Sequence, residues 1–359
     1  MDKGQEHSIN SRERVLAAIE HCTPDRLPVT FDAEKEVVEL LMRHFKAGTR
    51  DEVWDALHVD TRLVGADHNH PRIRKEGEIS FDFWGIGQKE QAYSGGTYNE
   101  YCFNPLAGLT SVSEIESYDW PTPEELSFES IRKAKATNPD KAIIAHITHA
   151  GFFKATLLRG MESFMMDLGA DPEIAAAIIR KVNDYLFPAI ERLCREAGDS
   201  FDIFYIADDF CSANGPLISP DMFHDYIQPY LHRYAEIVHG YGKKLLLHTC
   251  GSTRRLLPDI IAAGVDVMEP VQTSAEGMAV EGLKRDFGAR MAFYGGIDLI
   301  SVLSIGSPAQ VRAEVLRNFA VFGKDGGYIL GPGHTYIQPD CPLENILAMY
   351  ETAHQECLY

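Results

Sequence analysis

Eight short apolar runs punctuate this chain, and each turns polar or glycine-rich at its C-terminal end. They are PVTF (Pro28–Phe31), VDTRLVGA (Val59–Ala66), AIIAHITH (Ala142–His149), FDIFYIADDF (Phe201–Phe210), KLLLHTCG (Lys244–Gly251), VDVMEPVQ (Val265–Gln272), MAFYGGID (Met291–Asp298) and GGYILGPGH (Gly326–His334). A nearly continuous apolar run suits a strand buried on both faces, as in a parallel sheet. Amphipathic helical stretches separate several of them, among them Pro220–Gly242, Thr253–Gly264 and Ser307–Gly323. Eight strand–helix alternations predict an α/β fold, a (β/α)8 TIM-type barrel; no GxGxxG follows the first run, which weighs against an open doubly wound sheet.

A helix-like segment, Asn10–His21, precedes the first run, and a closing helix starts at about Pro342. The rhythm breaks between Pro71 and Pro123, where aromatic, glycine-rich sequence (Phe81–Phe103) reads as hairpins inserted after the second strand and capping the barrel mouth. The acidic stretch Glu114–Glu129 reads as a solvated connection. With no internal repeat and no Pro/Ser-rich linker, residues 1–359 are expected to form a single barrel domain with an insertion at about 71–123.

Composition narrows the function classes. With 45% hydrophobic residues the chain can bury a full core, which excludes disorder. Its formal charge of −19 and the lack of any Lys/Arg run exclude nucleic acid and anionic lipid as expected partners. No stretch approaches the ~20 apolar residues that cross a bilayer, and the N-terminus lacks the apolar segment of a secretory signal, so a cytoplasmic location is expected. The 7 cysteines lack the spacing of a disulfide framework and read as thiols, some of them free to bind metal.

In a barrel of this kind the chemistry lies at the C-terminal ends of the strands. His248-Thr249-Cys250 ends the fifth run, and residues two apart on a strand share a face, so imidazole and thiolate can converge on one ion. The pair alone fits a buried histidine and a packed cysteine equally well. Glu269 ends the sixth run among apolar neighbours, where a carboxylate needs a partner, and Cys341 follows the eighth in a loop that can fold back over the mouth. One nitrogen, two sulfurs and one oxygen suit tetrahedral zinc.

Other strand ends add candidates. Asp208 and Asp209 end the fourth run, where one carboxylate faces the cavity for substrate orientation or proton handling and helix capping is the competing role. His334 ends the eighth run and His146 lies within the third; both are candidates for the pocket lining, and a hydrogen-bonded core position suits His146 as well. Asp298 ends the seventh run as a substrate contact or helix cap, and Asp67 follows the second as a further carboxylate. Tyr93, Tyr98, Tyr101 and Trp84 of the insertion suit either stacking on a flat substrate or a satellite core.

From about Asn10 onward the chain resembles the uroporphyrinogen decarboxylase superfamily. The resemblance is carried by DDFCSANGPLISPDMFHDYIQPY, LLLHTCGSTRRLLPDIIAAGVDVMEPVQ, FYGGIDLISVL and GGYILGPGHTYIQPDCPLENILAMYE. It implies a distorted barrel. Uroporphyrinogen decarboxylases proper carry an arginine-rich RQAGR-type motif for substrate carboxylates, where this chain reads RLPVTFDAEKE (Arg26–Glu36), so haem biosynthesis is disfavoured. The better match is the branch of corrinoid-dependent methyltransferases, which includes methylcobalamin:coenzyme M methyltransferases and the methyltransferase components of O-demethylases. In that branch zinc is held by an HxC pair and a C-terminal cysteine, and His248, Cys250 and Cys341 fall on those positions, with Glu269 resembling a carboxylate that completes the sphere.

The resemblance implies zinc-dependent methyl transfer between a small substrate, such as a methyl ether, and a corrinoid. No DxHxxG cobalamin fingerprint is present, so the corrinoid is expected on a separate corrinoid-binding protein. A cofactor-free decarboxylase of a cyclic or tetrapyrrole-like substrate, using Asp67 or Asp208, is the runner-up. A corrinoid or tetrapyrrole carrier without turnover is the non-enzymatic alternative.

Overall fold

The structure, a computed structural model, describes residues 9–93 and 96–359. It is an α/β fold of the TIM-barrel type. Seven of the eight apolar runs form strands: Thr61–Gly65, Ala142–His146, Ile203–Ala207, Lys244–His248, Val267–Val271, Ala292–Ile297 and Tyr328–Pro332. The eighth, Pro28–Phe31, departs from expectation and makes only an isolated parallel bridge, Val29 opposite Leu330. The cause is local. Pro28 has no N–H to give, and the Val29 N–H is drawn to the buried Asp60 carboxylate at 2.9 Å. Thr30 N–H still reaches the Leu330 carbonyl at 2.9 Å, so the run follows the last strand without becoming a regular one.

The chain divides into two compact units. One comprises the chain up to Arg62 with Lys135–Ile143 and Val267–Tyr359. Its strands Val267–Val271, Ala292–Ile297 and Tyr328–Pro332 pair in parallel, in sequence order. Phe293 and Tyr328 pack on Phe322, with ring centroids 4.8 and 5.1 Å apart, and Val267, Ile329, Ile346 and Met349 are buried in the same unit. The stretch expected as one helix from Ser307 to Gly323 is an α-helix over Pro308–Asn318 that widens to a π-turn over Phe319–Gly323. The charged centre of this unit is Asp60, which is fully buried. It accepts hydrogen bonds of 2.8 Å from Arg14 and, twice, from Arg26.

The other unit takes Leu63–Ala134 and Ile144–Asp266. Here Ile203–Ala207 lies parallel to Lys244–His248, placing Ala207 opposite His248. Residues 144–146 run parallel on the other side of Ile203–Ala207. Helices Gly151–Arg159, Met161–Ala170, Pro172–Ala197 and Gln228–Gly240 supply the apolar cover. The helix expected over Pro220–Gly242 is two, Pro220–Tyr226 and Gln228–Gly240, because Pro229 disfavours helical backbone just before it and a new helix starts there.

In the inserted region, Arg74–Glu76, Ile79–Phe81, Gly87–Tyr93 and Gly96–Phe103 form an antiparallel sheet in sequence order. Trp84 is fully buried against Tyr185 and Trp120, whereas Tyr93, Tyr98 and Tyr101 are exposed. The acidic stretch Glu114–Glu129 is more than the solvated connection expected. Leu126–Ser127 pairs with Asp67–His68, and Leu126 and Phe128 are buried, because this stretch carries apolar side chains at the points where it meets the core.

Candidate functional site

Two adjacent strand ends bring the reactive groups together. The chain leaves Ile203–Ala207 as Asp208-Asp209 and leaves Lys244–His248 as Thr249-Cys250, and the Asp208 N–H still bonds the His248 carbonyl at 2.9 Å. The Cys250 N–H donates to Asp209 Oδ1 at 2.9 Å, which fixes that carboxylate beside the thiol. His248 Nε2 lies 3.5 Å from Cys250 Sγ and 3.7 Å from Asp209 Oδ1. Ligand atoms of all three fall within 4.8 Å of one another.

This donor set fits zinc. Zn–N and Zn–S bonds of tetrahedral zinc set nitrogen and sulfur about 3.5 Å apart, and Zn–N and Zn–O bonds set nitrogen and oxygen about 3.4 Å apart. The gaps found need only a few tenths of an ångström of adjustment. A thiolate, an imidazole and a carboxylate are also ligands that zinc accepts together. His248 is buried while Cys250 and Asp209 are half-buried, so the cluster has a closed and an open side. Sequence reasoning had cast Asp209 as a substrate contact; its nearness to His248 and Cys250 depends on the register between two strands, which a linear reading does not contain.

Asp208 points the other way. It is buried and accepts the Phe153 N–H at 2.6 Å, tying the first turn of Gly151–Arg159 to the strand end. Burial pushes its carboxyl up to about 8 against the pull of that N–H, and the Asp209 charge adds to the rise.

Three charged or titratable residues that sequence reasoning passed over lie in the same unit as this cluster. Lys154, in the same first turn, is buried, and burial brings its ammonium down to about 8, with Asp82 pulling the other way. His149 is held well below the ordinary histidine range by burial, then by Lys154, His248 and His146. Asp82 is raised by burial and steadied by Lys154 and by backbone N–H groups. Tyr101 of the insertion, though 39% exposed, is raised by desolvation of its hydroxyl, and Asp82 and Asp209 add to the rise. The only sequence signal for Lys154 was a cation inside an otherwise apolar stretch, AGFFKATLL.

The remaining candidates have local partners. Asp67 accepts from Ser130 N–H at 3.0 Å and Ser130 Oγ at 2.5 Å. His146 lies against Gly65, whose hydrogen leaves room that a methyl group would fill at 2.9 Å from the imidazole, and burial lowers it to about 4. Glu269, Asp298, His334 and Cys341 belong to the other compact unit. There Asp298 caps the helical turn Leu299–Ser304 through Ile300 and Ser301 N–H groups, the bland role weighed for it. Glu269 is buried in Val267–Val271 and contributes to a rise of the Asp32 carboxyl to about 7, a shift driven mainly by burial and opposed by Arg50. Cys341 is buried with its Sγ 3.3 Å from Ser304 Oγ, and burial raises the thiol. His334 is half-buried in the loop after Tyr328–Pro332.

Among the described residues, no helix is long and apolar enough to cross a membrane. A methylated-thiol–coenzyme M methyltransferase of Methanosarcina mazei is 28% identical over 203 residues, 55% of this chain and 49% of that protein. The methylcobamide:CoM methyltransferase MtaA of Methanosarcina barkeri is 31% identical over 152 residues, 41% of this chain and 40% of that protein. The chain thus spans about half or less of the length of the curated relatives it matches. The solved structure of a methyltransferase from Methanosarcina mazei superposes with a TM-score of 0.69 at 18% identity, covering 97% of this chain and 99% of that one, and so shares the fold. The family described as uroporphyrinogen decarboxylase (URO-D) matches residues 101–356, well over half the sequence, and to that family the chain belongs.

Proposed function

We propose that this protein is a zinc-dependent methyltransferase that moves a methyl group between a small substrate and the corrinoid of a separate partner protein. The observation that carries the reading is the Asp209–His248–Cys250 cluster, a metal-ligand set at adjoining strand ends. The names of the relatives, which specify coenzyme M and methylcobamide, supply the reaction class. Bound zinc would act as a Lewis acid, holding a thiol as thiolate or polarising an ether oxygen.

The chain's own groups prepare that chemistry. Cys250 supplies the soft anionic ligand, and its own N–H orients Asp209. His248, buried and next to both, offers Nε2 from a rigid strand end. Asp208, its carboxyl pushed up to about 8 by burial, is the proposed proton-handling carboxyl next to Asp209, and His334 has the same role in the proposal. Cys341 and Glu269 are the proposed third and fourth ligands, with Asp209 the competitor for either place.

Decarboxylation of a polycarboxylate is the weaker reading. Arg26, at the head of the segment that replaces the family's arginine-rich motif, is committed to Asp60 through two 2.8 Å bonds.

Cys250→Ala is expected to lose zinc, measured by elemental analysis, together with methyl transfer from methylcobalamin to a thiol or from a methyl ether to cobalt(I) corrinoid. Stoichiometric zinc with full turnover in that variant overturns the assignment. Zinc contents of Asp209→Ala and Cys341→Ala decide which of the two is a ligand.

A further inference from the structure

We propose that a cavity walled by the ends of three helices, in the unit that holds Asp60, binds a small organic cation: a primary ammonium ion on an apolar body. The cavity shares no residue with the metal-ligand cluster or with any proposed zinc ligand, so the site stands apart from the reaction proposed above.

The cavity encloses about 330 Å³. That volume is the size of a small-molecule pocket. Its wall comes from the last turn of helix Lys35–Phe45, from the end of Arg50–Ala56 with the two residues after it, and from the C-terminal part of Leu343–Glu356. Every α-helix gathers partial negative charge at its C-terminus. Three such ends meet on one cavity whose wall contains no lysine or arginine among the described residues, and the resulting field favours a cation.

The groups that would receive it share a stripe of Leu343–Glu356. Glu351 and His354 are three apart and Tyr350 and His354 four apart, spacings that set side chains next to each other on a helix. Glu351 is exposed and has no ion pair or hydrogen bond among the described residues. His354 Nε2 lies 2.9 Å from the Leu57 carbonyl, which only accepts, so that nitrogen carries the proton. Burial, then the charge of Arg26, brings this imidazole down to about 4, so it is neutral and its Nδ1 is a bare acceptor. Arg26 is itself matched by Asp60, to which it donates twice. A carboxylate and an unprotonated imidazole nitrogen accept without donating, which suits the three N–H groups of an ammonium ion.

The rest of the wall suits an apolar body. The Tyr350 hydroxyl donates to the Thr30 carbonyl at 2.7 Å, which leaves its ring for the cavity, and Phe45 adds a second aromatic side chain. His58 stands edge-on to His354, with ring centroids 5.3 Å apart. Its backbone φ is +50°, at a position just past a helix end where glycine is usual. A side chain kept in spite of that strain is the kind of feature that gathers at ligand sites.

Benzylamine and butylamine are the probes, titrated calorimetrically into the full chain at pH about 8, where imidazoles are neutral and both amines are ammonium ions. At least one is expected to bind, and benzyl alcohol and benzoate to bind about tenfold more weakly or worse, since they lack the charge or reverse it. Glu351→Gln lowers the amine affinity by about tenfold or more, the loss expected for a charge-assisted hydrogen bond, and leaves benzyl alcohol unchanged. Ala56→Trp fills the cavity and blocks the amine. Both substitutions are at exposed positions, and melting temperatures verify that the variants are folded; Leu347→Trp replaces the Ala56 variant if that one is not. The proposal is overturned if neither amine binds the wild-type protein, if Glu351→Gln or the cavity-filling variant binds as well as wild type, or if benzoate binds as tightly as benzylamine. None of these readouts depends on zinc or on methyl transfer, so the site and the reaction stand or fall separately.

Discussion

Gly251 follows Cys250 with a backbone φ of +93°, and a Cβ there would meet the Ser212 carbonyl oxygen at 2.5 Å. Both facts demand glycine, since other residues are strained at that φ and the obstacle is backbone. Ser252 N–H bonds that same carbonyl at 2.8 Å, which draws the turn tight beneath Cys250. Gly251→Ala is expected to fold but to hold zinc about tenfold more weakly or worse, because the turn that aims Cys250 must open; zinc competition with a chromophoric chelator measures it. At this scale the sequence was legible where chemistry depends on neighbours in the chain. His248 ends its strand and Cys250 stands two residues on, so the two could be paired by their spacing alone. Asp209 and Lys154 could not, because their places are set by strand register and by burial, neither of which leaves a mark in the residue's own neighbourhood.

The helix Gly151–Arg159 illustrates how an element is seated by a missing side chain. A Cβ on Gly151 would come within 2.4 Å of Asn183 Nδ2 on the long helix Pro172–Ala197. Asn183 is itself buried, donates to the Ile179 carbonyl at 2.7 Å and accepts from the Tyr234 hydroxyl, so it has little freedom to move aside. Gly151→Ala is expected to destabilise the protein by about 1–3 kcal/mol through overpacking, read from the midpoint of denaturant unfolding. Elements themselves were largely legible, since apolar runs and helical periods survive in the sequence as patterns. The misses have physical causes: Pro28–Phe31 lost its strand ladder to a proline and a buried carboxylate, and Pro229 broke a helix whose apolar period ran straight through it.

For the whole molecule, buried histidines oppose folding as the pH falls. His146 and His354 are both lowered to about 4 mainly by burial, against 6.5 when unfolded. The unfolded chain therefore binds more protons between these values, and the stability that comes from keeping the imidazoles neutral is present above pH 6.5 and lost as pH falls toward 4. Asp32 and Asp208, raised to about 7 and about 8, bind protons in the folded protein over the same window and act the other way, so the test is differential: the urea midpoint of the wild type relative to that of His354→Gln is expected to drop as pH falls from 6.5 toward 4. Fold class was legible at this scale from the eightfold alternation; the division into two compact units was not, because one of them is assembled from segments far apart in the chain.

That division has a consequence for hydrogen exchange. The Leu27 N–H donates to the Cys357 carbonyl and the Tyr359 N–H to the Asp25 carbonyl, so these two amides join segments of one unit that lie far apart in the sequence. Their exchange with solvent reports the opening of that unit, whereas the Cys250 amide, held by Asp209, reports on the other.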